Sequence, residues 1–183
     1  MKELTGFGPD PLFLLSWEEF EKYCDKIPSV DGWWWVRSWD DPYDLALEWL
    51  VNNGEDPSKL APIVKDINRQ WYHDYIRFSS KTVNVRPALN LRSVYSTTVV
   101  GEITKNSNEG RTHTITIDDI NDKEKFVFNG ITWVKLDDYI YISKTPIACH
   151  RFDSKSGVYK ISEIRKFLWD WFGYERGLKN EKR

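Results

Sequence analysis

Apolar residues first recur at helical spacing just after Ser16. Trp17, Phe20, Cys24 and Ile27 fall on one stripe, which predicts a helix over 17–27. Ser16 and Glu19 form an S-x-x-E capping box in which each side chain satisfies the other residue's free backbone N–H, and Pro28 ends the segment. The stripe makes Cys24 a small core residue rather than a nucleophile. The next segment, GWWWVRSW, predicts a short strand. Alternation sends Trp33, Trp35 and Arg37 to one face, and Trp34, Val36 and Ser38 to the other. Large rings on both sides suit a strand covered on both faces. Trp33, at the strand's edge, is the ring expected to reach a partner.

Residues 40–54 predict a helix, with an Asp start, Pro42 in the first turn, the LALEWL run and Gly54 as a stop. A second start at Asp56-Pro57 precedes Leu60, Ile63, Val64, Ile67 and Trp71, a stripe that predicts a helix reaching about 76. From residue 81 the texture becomes β, rich in Val, Thr and Ile: KTVNVRPALNL, SVYSTTVVGEIT and THTITI. KNSNEGRT at 105–112 reads as an exposed hairpin loop, and DDINDKEK at 118–125 as a solvated connector. FVFNGITWVKL is a hairpin signal, because Asn129-Gly130 suits a turn with positive φ at both central positions. A strand follows at 139–143. A last helix at 163–172 has Ser162 as its cap, Ile164, Phe167, Leu168 and Trp171 on its inner face, and Gly173 as its stop; the tail beyond it is expected to fray. The fold class that results is α+β, with antiparallel sheets and flanking helices.

Composition changes this picture in one respect. Ten Trp, nine Tyr and nine Phe supply enough large apolar surface to hold a loop-rich fold together. Charge is uneven along the chain: residues 1–60 carry −8 and residues 61–183 carry +6, for a net −2. No run approaches the ~18 apolar residues that span a bilayer. MKELTGFGPDP lacks the apolar core of a signal peptide, and two distant cysteines make no disulfide framework. These features lead to the expectation of a reduced, cytoplasmic protein without membrane contact; a phage or mobile-element product made inside a bacterial host cell has the same features.

Catalytic chemistry finds little support. Cys149 and His150 are adjacent, so an extended strand points them apart. His73 and Asp74 share that fault on a helix, and His113 stands alone. No Gly-rich phosphate loop, Walker motif or HExxH appears. No catalytic residue, metal ligand or cofactor is therefore expected.

The ordered words LFLLSWEEFEKY, WWWVRS and VRPALNL resemble a bacterial and phage domain of unknown function marked by WWLRS and VRPAL motifs. Trp34, Trp35, Arg37 and Ser38 match the first motif, with Val36 where Leu is usual; Val85, Arg86, Pro87, Ala88 and Leu89 match the second. FNGITWVKLDDYIYISKTPI and YKISEIRKFLWDWF resemble strands and a helix that precede WWLRS in the family but here follow VRPAL. The chain thus reads as a circular permutant, or as the end of one repeat followed by the start of the next. It is read as one domain, 1–183: a motif-bearing half at 12–91 with a helical insertion at about 40–76, which the family lacks, and a β-rich half at 92–183 ending in a helix. The resemblance implies a C-type-lectin-like scaffold, akin to the formylglycine-generating-enzyme architecture. In it Trp34, Trp35, Arg37, Arg86 and Pro87 build structure, and Arg37 and Arg86 tie loop carbonyls or pair with carboxylates.

The expected function is a non-enzymatic protein-binding module from a phage or mobile element. One specific form of it is an anti-defence inhibitor, for example of a CRISPR nuclease or a similar nucleic-acid-binding complex. A small nuclease or hydrolase using the histidines, and a phage structural or carbohydrate-binding component, are the competing classes. Trp33, Asp40, Asp41 and Asp44 are the acidic-side binding candidates. Arg151, Lys160 and Lys166, among Tyr159, Phe167 and Trp169, offer a surface for direct nucleic-acid contact. Reversing the charge of Asp40, Asp41 and Asp44 together should abolish binding to a basic partner. Unaltered affinity in a titration of the purified pair removes the acidic-segment role.

Overall fold

The computed structural model describes residues 10–38, 45–67, 70–77, 79, 81–92, 117–128, 130–155 and 158–175. The Asp40–Asp44 segment, the β-rich stretch at 93–116 with its 105–112 loop, and the tail after 175 lie outside the described residues.

Two five-stranded sheets are built from β1 (Leu12–Phe13), β2 (Trp34–Trp35), β3 (Leu60–Ile67), β4 (Gln70–Arg77), β5 (Val83–Val85), β6 (Ala88–Asn90), β7 (Lys125–Phe128), β8 (Ile131–Asp137), β9 (Ile140–Ser143) and β10 (Ala148–His150). The first has the order β1-β6-β9-β8-β7 and the second β10-β5-β2-β3-β4. Helices α1 (Trp17–Tyr23), α2 (Leu45–Asn52), α3 (Ile117–Asn121) and α4 (Glu163–Glu175) complete the mixed α+β architecture. The first sheet is antiparallel throughout. The second departs from that expectation at one place, where β2 runs parallel to β5.

α1 begins at the capping box: the Ser16 side chain accepts from Glu19 N, and the Glu19 carboxylate accepts from Ser16 N at 2.8 Å. β2 carries the tryptophan run, and its alternation separates two buried clusters. Trp35 joins one with Ala61, Val85, Trp133, Tyr141, Ile164 and Leu168. Trp34 and Val36 join the other with Phe20, Val64, Leu136 and Ile142. Both sheets contribute to both clusters; α4 closes the first and α1 the second.

Between 60 and 76 the expected helix is replaced by the β3–β4 hairpin, paired from Leu60↔Arg77 to Ile67↔Gln70. Among its described residues, the insertion at 40–76 is helical over α2, which ends before Gly54 at φ +87, and over one 3-10 turn, Pro57–Lys59. β3 is the antiparallel neighbour of β2 (Trp34↔Val64, Trp35↔Ile63), and Leu60 through Val64 are all buried. A strand buried on both faces shows a continuous apolar run instead of alternation, and such a run matches a helical stripe by accident. Two smaller expectations also change. DDINDKEK is not all solvated connector: it holds α3, whose Ile120 is buried beside Phe126 and Tyr141. Gly173 does not stop α4, which continues to Glu175. β7 and β8 pair as a hairpin with Phe128↔Ile131 register, and Gly130 has φ +71; Asn129 lies outside the described residues.

The two sheets share one ladder. β5 pairs with β10 (Val83↔His150, Val85↔Ala148), and directly onward β6 pairs with β9 (Ala88↔Ile142, Asn90↔Ile140). Between these registers two residues, Arg86 and Pro87, face five, Ser143 to Ile147. The longer side therefore presents carbonyls that the ladder cannot pair. Arg86 supplies donors: Nε to Ser143 O at 2.9 Å and Nη2 to Lys144 O at 3.3 Å. Ser143 N donates to Pro87 O, and Ile147 N to Val85 O. Pro87 has no N–H, so it adds no donor to this crossing. Arg86 is fully buried, its guanidinium carbon 5.2 Å from the Trp34 ring centroid. Burial pulls its pKa down to about 9, which leaves it protonated at neutral pH.

α1 is tied to the first sheet by a polar cluster. Tyr23 donates to Asp137 Oδ2 at 2.7 Å, and Lys22 Nζ lies 2.8 Å from the Tyr23 oxygen and 3.1 Å from Asp137. The hydrogen bond from Tyr23 is the main reason that the Asp137 carboxyl is held down to about 2. Burial pushes the Tyr23 phenol up to about 12.

Two outcomes follow from these contacts. Arg86→Ala opens a cavity and orphans two carbonyls, and should cost about 3 kcal/mol in urea unfolding. Arg86→Met keeps stem packing without burying a charge and should cost about 1 kcal/mol less; a loss near zero in Arg86→Met would show that the guanidinium contacts are not what the crossing uses. The stability from Asp137 is complete above about pH 4 and is lost as pH falls toward 2, because its folded pKa lies below the unfolded one. The Tyr23 contribution has the opposite sign: it is present below about pH 10 and lost as pH rises through 12. Tyr23→Phe should return the Asp137 titration toward about 4, read from carboxyl carbon shifts by NMR.

Candidate functional site

Trp33 precedes β2, and its position depends on Gly32. Gly32 has φ +84, and a Cβ there would meet Asn84 Nδ2 at 3.1 Å. Unlike its two buried neighbours, Trp33 is half-buried. It packs on the edge of the Trp35 cluster, and Lys65 Nζ lies 4.3 Å from its ring centroid. The same lysine lies 6.0 Å from the Tyr72 centroid, because Lys65 and Tyr72 are register partners on β3 and β4.

Beside Trp33 the second sheet forms a cleft of about 470 Å³ lined by Ile63, Asp74, Ile76, Lys81, Thr82, Val83, Asn84 and Cys149 as well. That volume lies within the range of small-ligand and side-chain pockets. Asp74 and Ile63 are register partners, and Asp74 Oδ1 accepts from Tyr75 N at 2.7 Å. Across the cleft Cys149 Sγ donates to Asn84 Oδ1 at 3.1 Å, and Asn84 Nδ2 lies 3.5 Å from Asp31 O. The polar groups are thus the Asp74 carboxylate, the Asn84 amide, the Thr82 hydroxyl and the Cys149 thiol, with the exposed Lys81 beside them.

The other binding candidates are separated from this cleft. Arg151 is paired with Glu163, Nε to Oε2 at 2.6 Å, and Arg165 with Asp10, so two of the basic residues around α4 are neutralised. Lys160 and Lys166 are exposed, as is Trp169, at 46%. Asp40, Asp41 and Asp44 lie outside the described residues. Trp34, Trp35, Arg86 and Pro87 are buried. Trp35 Nε1 donates to His150 O at 2.8 Å. Arg37 pairs with Glu19 at 2.6 Å, reaches Leu14 O at 3.4 Å, and ties the capping box to the strand. Burial pushes the Glu19 carboxyl up, and the Arg37 charge opposes that shift.

The two described histidines, His73 and His150, do not come together. His73 packs on Trp17 at 5.3 Å and His150 stacks on Phe167 at 4.9 Å. They occupy β4 and β10, the opposite edges of the second sheet, about 19 Å apart at four strand spacings. His113 lies outside the described residues. No group of three potential metal ligands occurs among the described residues, and no helix among them is long and apolar enough to cross a membrane.

Reading the sequence identified Trp33 but missed Lys65, Asp74, Lys81 and Asn84. Placing 60–76 in a helix removed the alternation that sets Ile63 and Lys65 on one face of β3. The available signal was the β-rich WYHDYI run, where Tyr72, Asp74 and Ile76 alternate. Comparison of the chain with protein-family models, curated proteins and solved structures gave no match.

Proposed function

We propose that this protein is a non-enzymatic protein-binding module on a lectin-like scaffold, encoded by a phage or mobile element and acting in the bacterial cytoplasm through the Trp33 cleft. The observation that carries this reading is the split within the tryptophan run. Trp34 and Trp35 are fully buried, whereas Trp33 forms the wall of a cleft. Aromatic residues beside apolar walls concentrate binding energy at interfaces. The dispersal of His73 and His150 supports binding over hydrolysis.

A more specific reading is an anti-defence inhibitor that engages a basic nucleic-acid channel. It is favoured by the outward face of α1 and the turn after it, where Glu18, Glu21 and Asp25 are exposed while Lys22 and Lys26 turn to Asp137 and Leu136 O. Negative potential of this kind steers association with a basic partner.

The test is affinity capture from host lysate, followed by titration with the captured protein. Trp33→Ala should weaken that binding about 10-fold or more while the chain stays folded, at a lower unfolding midpoint because the ring also packs on the Trp35 cluster. Joint replacement of His73, His113 and His150 should leave it intact. Loss of activity in the histidine variant with the fold preserved would sink the binding-only reading.

A further inference from the structure

We propose that the cleft beside Trp33 receives a cationic side chain, arginine or lysine, projecting from the partner protein. This rests on the protein-binding reading above and adds the chemistry of the group recognised.

Asp74 carries the argument. Its carboxylate lies half-buried in the cleft wall, with the neighbouring Tyr75 N–H as its hydrogen-bond donor. Its nearest strand neighbour across the pair is the apolar Ile63. A carboxylate drawn partly out of water is best compensated by a charged donor, which makes shorter and stronger hydrogen bonds than a neutral one. Ile63, Ile76 and Val83 give the cleft aliphatic walls, the surface along which the methylene stem of lysine or arginine lies while its head reaches a polar group. Trp33 supplies the remaining contact. Its ring already carries the Lys65 ammonium at 4.3 Å, so it serves an entering side chain as apolar wall for the stem, and the head group is left to Asp74. Asn84 Oδ1 adds an acceptor on the opposite wall.

Lys81 opposes this arrangement, and that makes it the discriminating residue. This exposed lysine lines the same cleft. It repels an entering cation and would attract an anion, so its removal changes affinity in opposite directions for the two ligand chemistries.

The experiment titrates the full chain with the N-acetyl, N′-methylamide derivatives of arginine, lysine, norleucine and glutamate. Binding is followed through the Trp33 indole and Asn84 amide signals in proton–nitrogen NMR spectra. The two cationic derivatives should bind with dissociation constants on the order of 10 mM, as befits one isolated side chain. The neutral norleucine derivative should bind at least about 10-fold more weakly, for want of the charge. Asp74→Asn, which keeps the acceptor for Tyr75 N–H, should weaken the cations about 10-fold, and Lys81→Ala should tighten them about 3-fold. Relative strengths of arginine and lysine identify the better head group. Equal binding of norleucine, tighter binding of glutamate, weakening by Lys81→Ala, or silence of both signals overturns the proposal. The captured partner separates this failure from that of the broader reading. Binding lost in Trp33→Ala but unchanged in Asp74→Asn keeps the protein-binding module and removes the cation site.

Discussion

Two strands that pair across unequal lengths leave backbone carbonyls without partners, and such groups must find donors before a protein can close over them. In this molecule that constraint falls where the chain passes from one sheet to the other. Arg86 and Pro87 face the five residues from Ser143 to Ile147, and the Arg86 guanidinium takes the carbonyls of Ser143 and Lys144. A guanidinium suits the position because its donors form a planar fork and its flat face lies against the Trp34 indole. Without that side chain the carbonyls of Ser143 and Lys144 lose their donors at the place where the two sheets join.

The tryptophan strand lies next to this crossing. Trp34 and Trp35 can point to opposite clusters because β2 sits between β5 and β3 and both faces are covered. Arg37 then closes the exit from that strand onto the α1 capping box through Glu19. Trp33, one residue earlier, has lost the full cover of the sheet, and its ring is left to Lys65 and to the cleft. Core and candidate site are therefore consecutive residues of one strand and its entry. The same side-chain type serves packing or recognition according to how far the covering layers extend.

Elements with local causes were legible in the sequence. The Ser16–Glu19 box, the β7–β8 hairpin and the alternation of the tryptophans each depend on residues within a few positions of one another. The β3–β4 hairpin was not legible, because double-sided burial replaces a period of two with an apolar block. The tie made by Arg86 leaves even less trace: its partners are main-chain carbonyls more than fifty positions away, and any residue type supplies a carbonyl. The cleft was hidden for a related reason. Its walls come from segments around β2, β3, β4, β5 and β10, so no window of the sequence contains its chemistry.

The shared ladder also bears on how the chain reaches this structure. Its pairs join residues such as Val83 and His150, and neither sheet has its full strand order until the stretch from 140 to 150 arrives. Contacts of such long range are entropically costly to close and slow the search for the native state. During that search the consecutive tryptophans have no finished cover, and transiently exposed apolar surface is what invites wrong association. The early local elements, α1 with its box and the β7–β8 hairpin, can form before then. The crossing at Arg86 needs Ser143 and Lys144 as partners, so chain synthesis must run well past VRPAL before it can close.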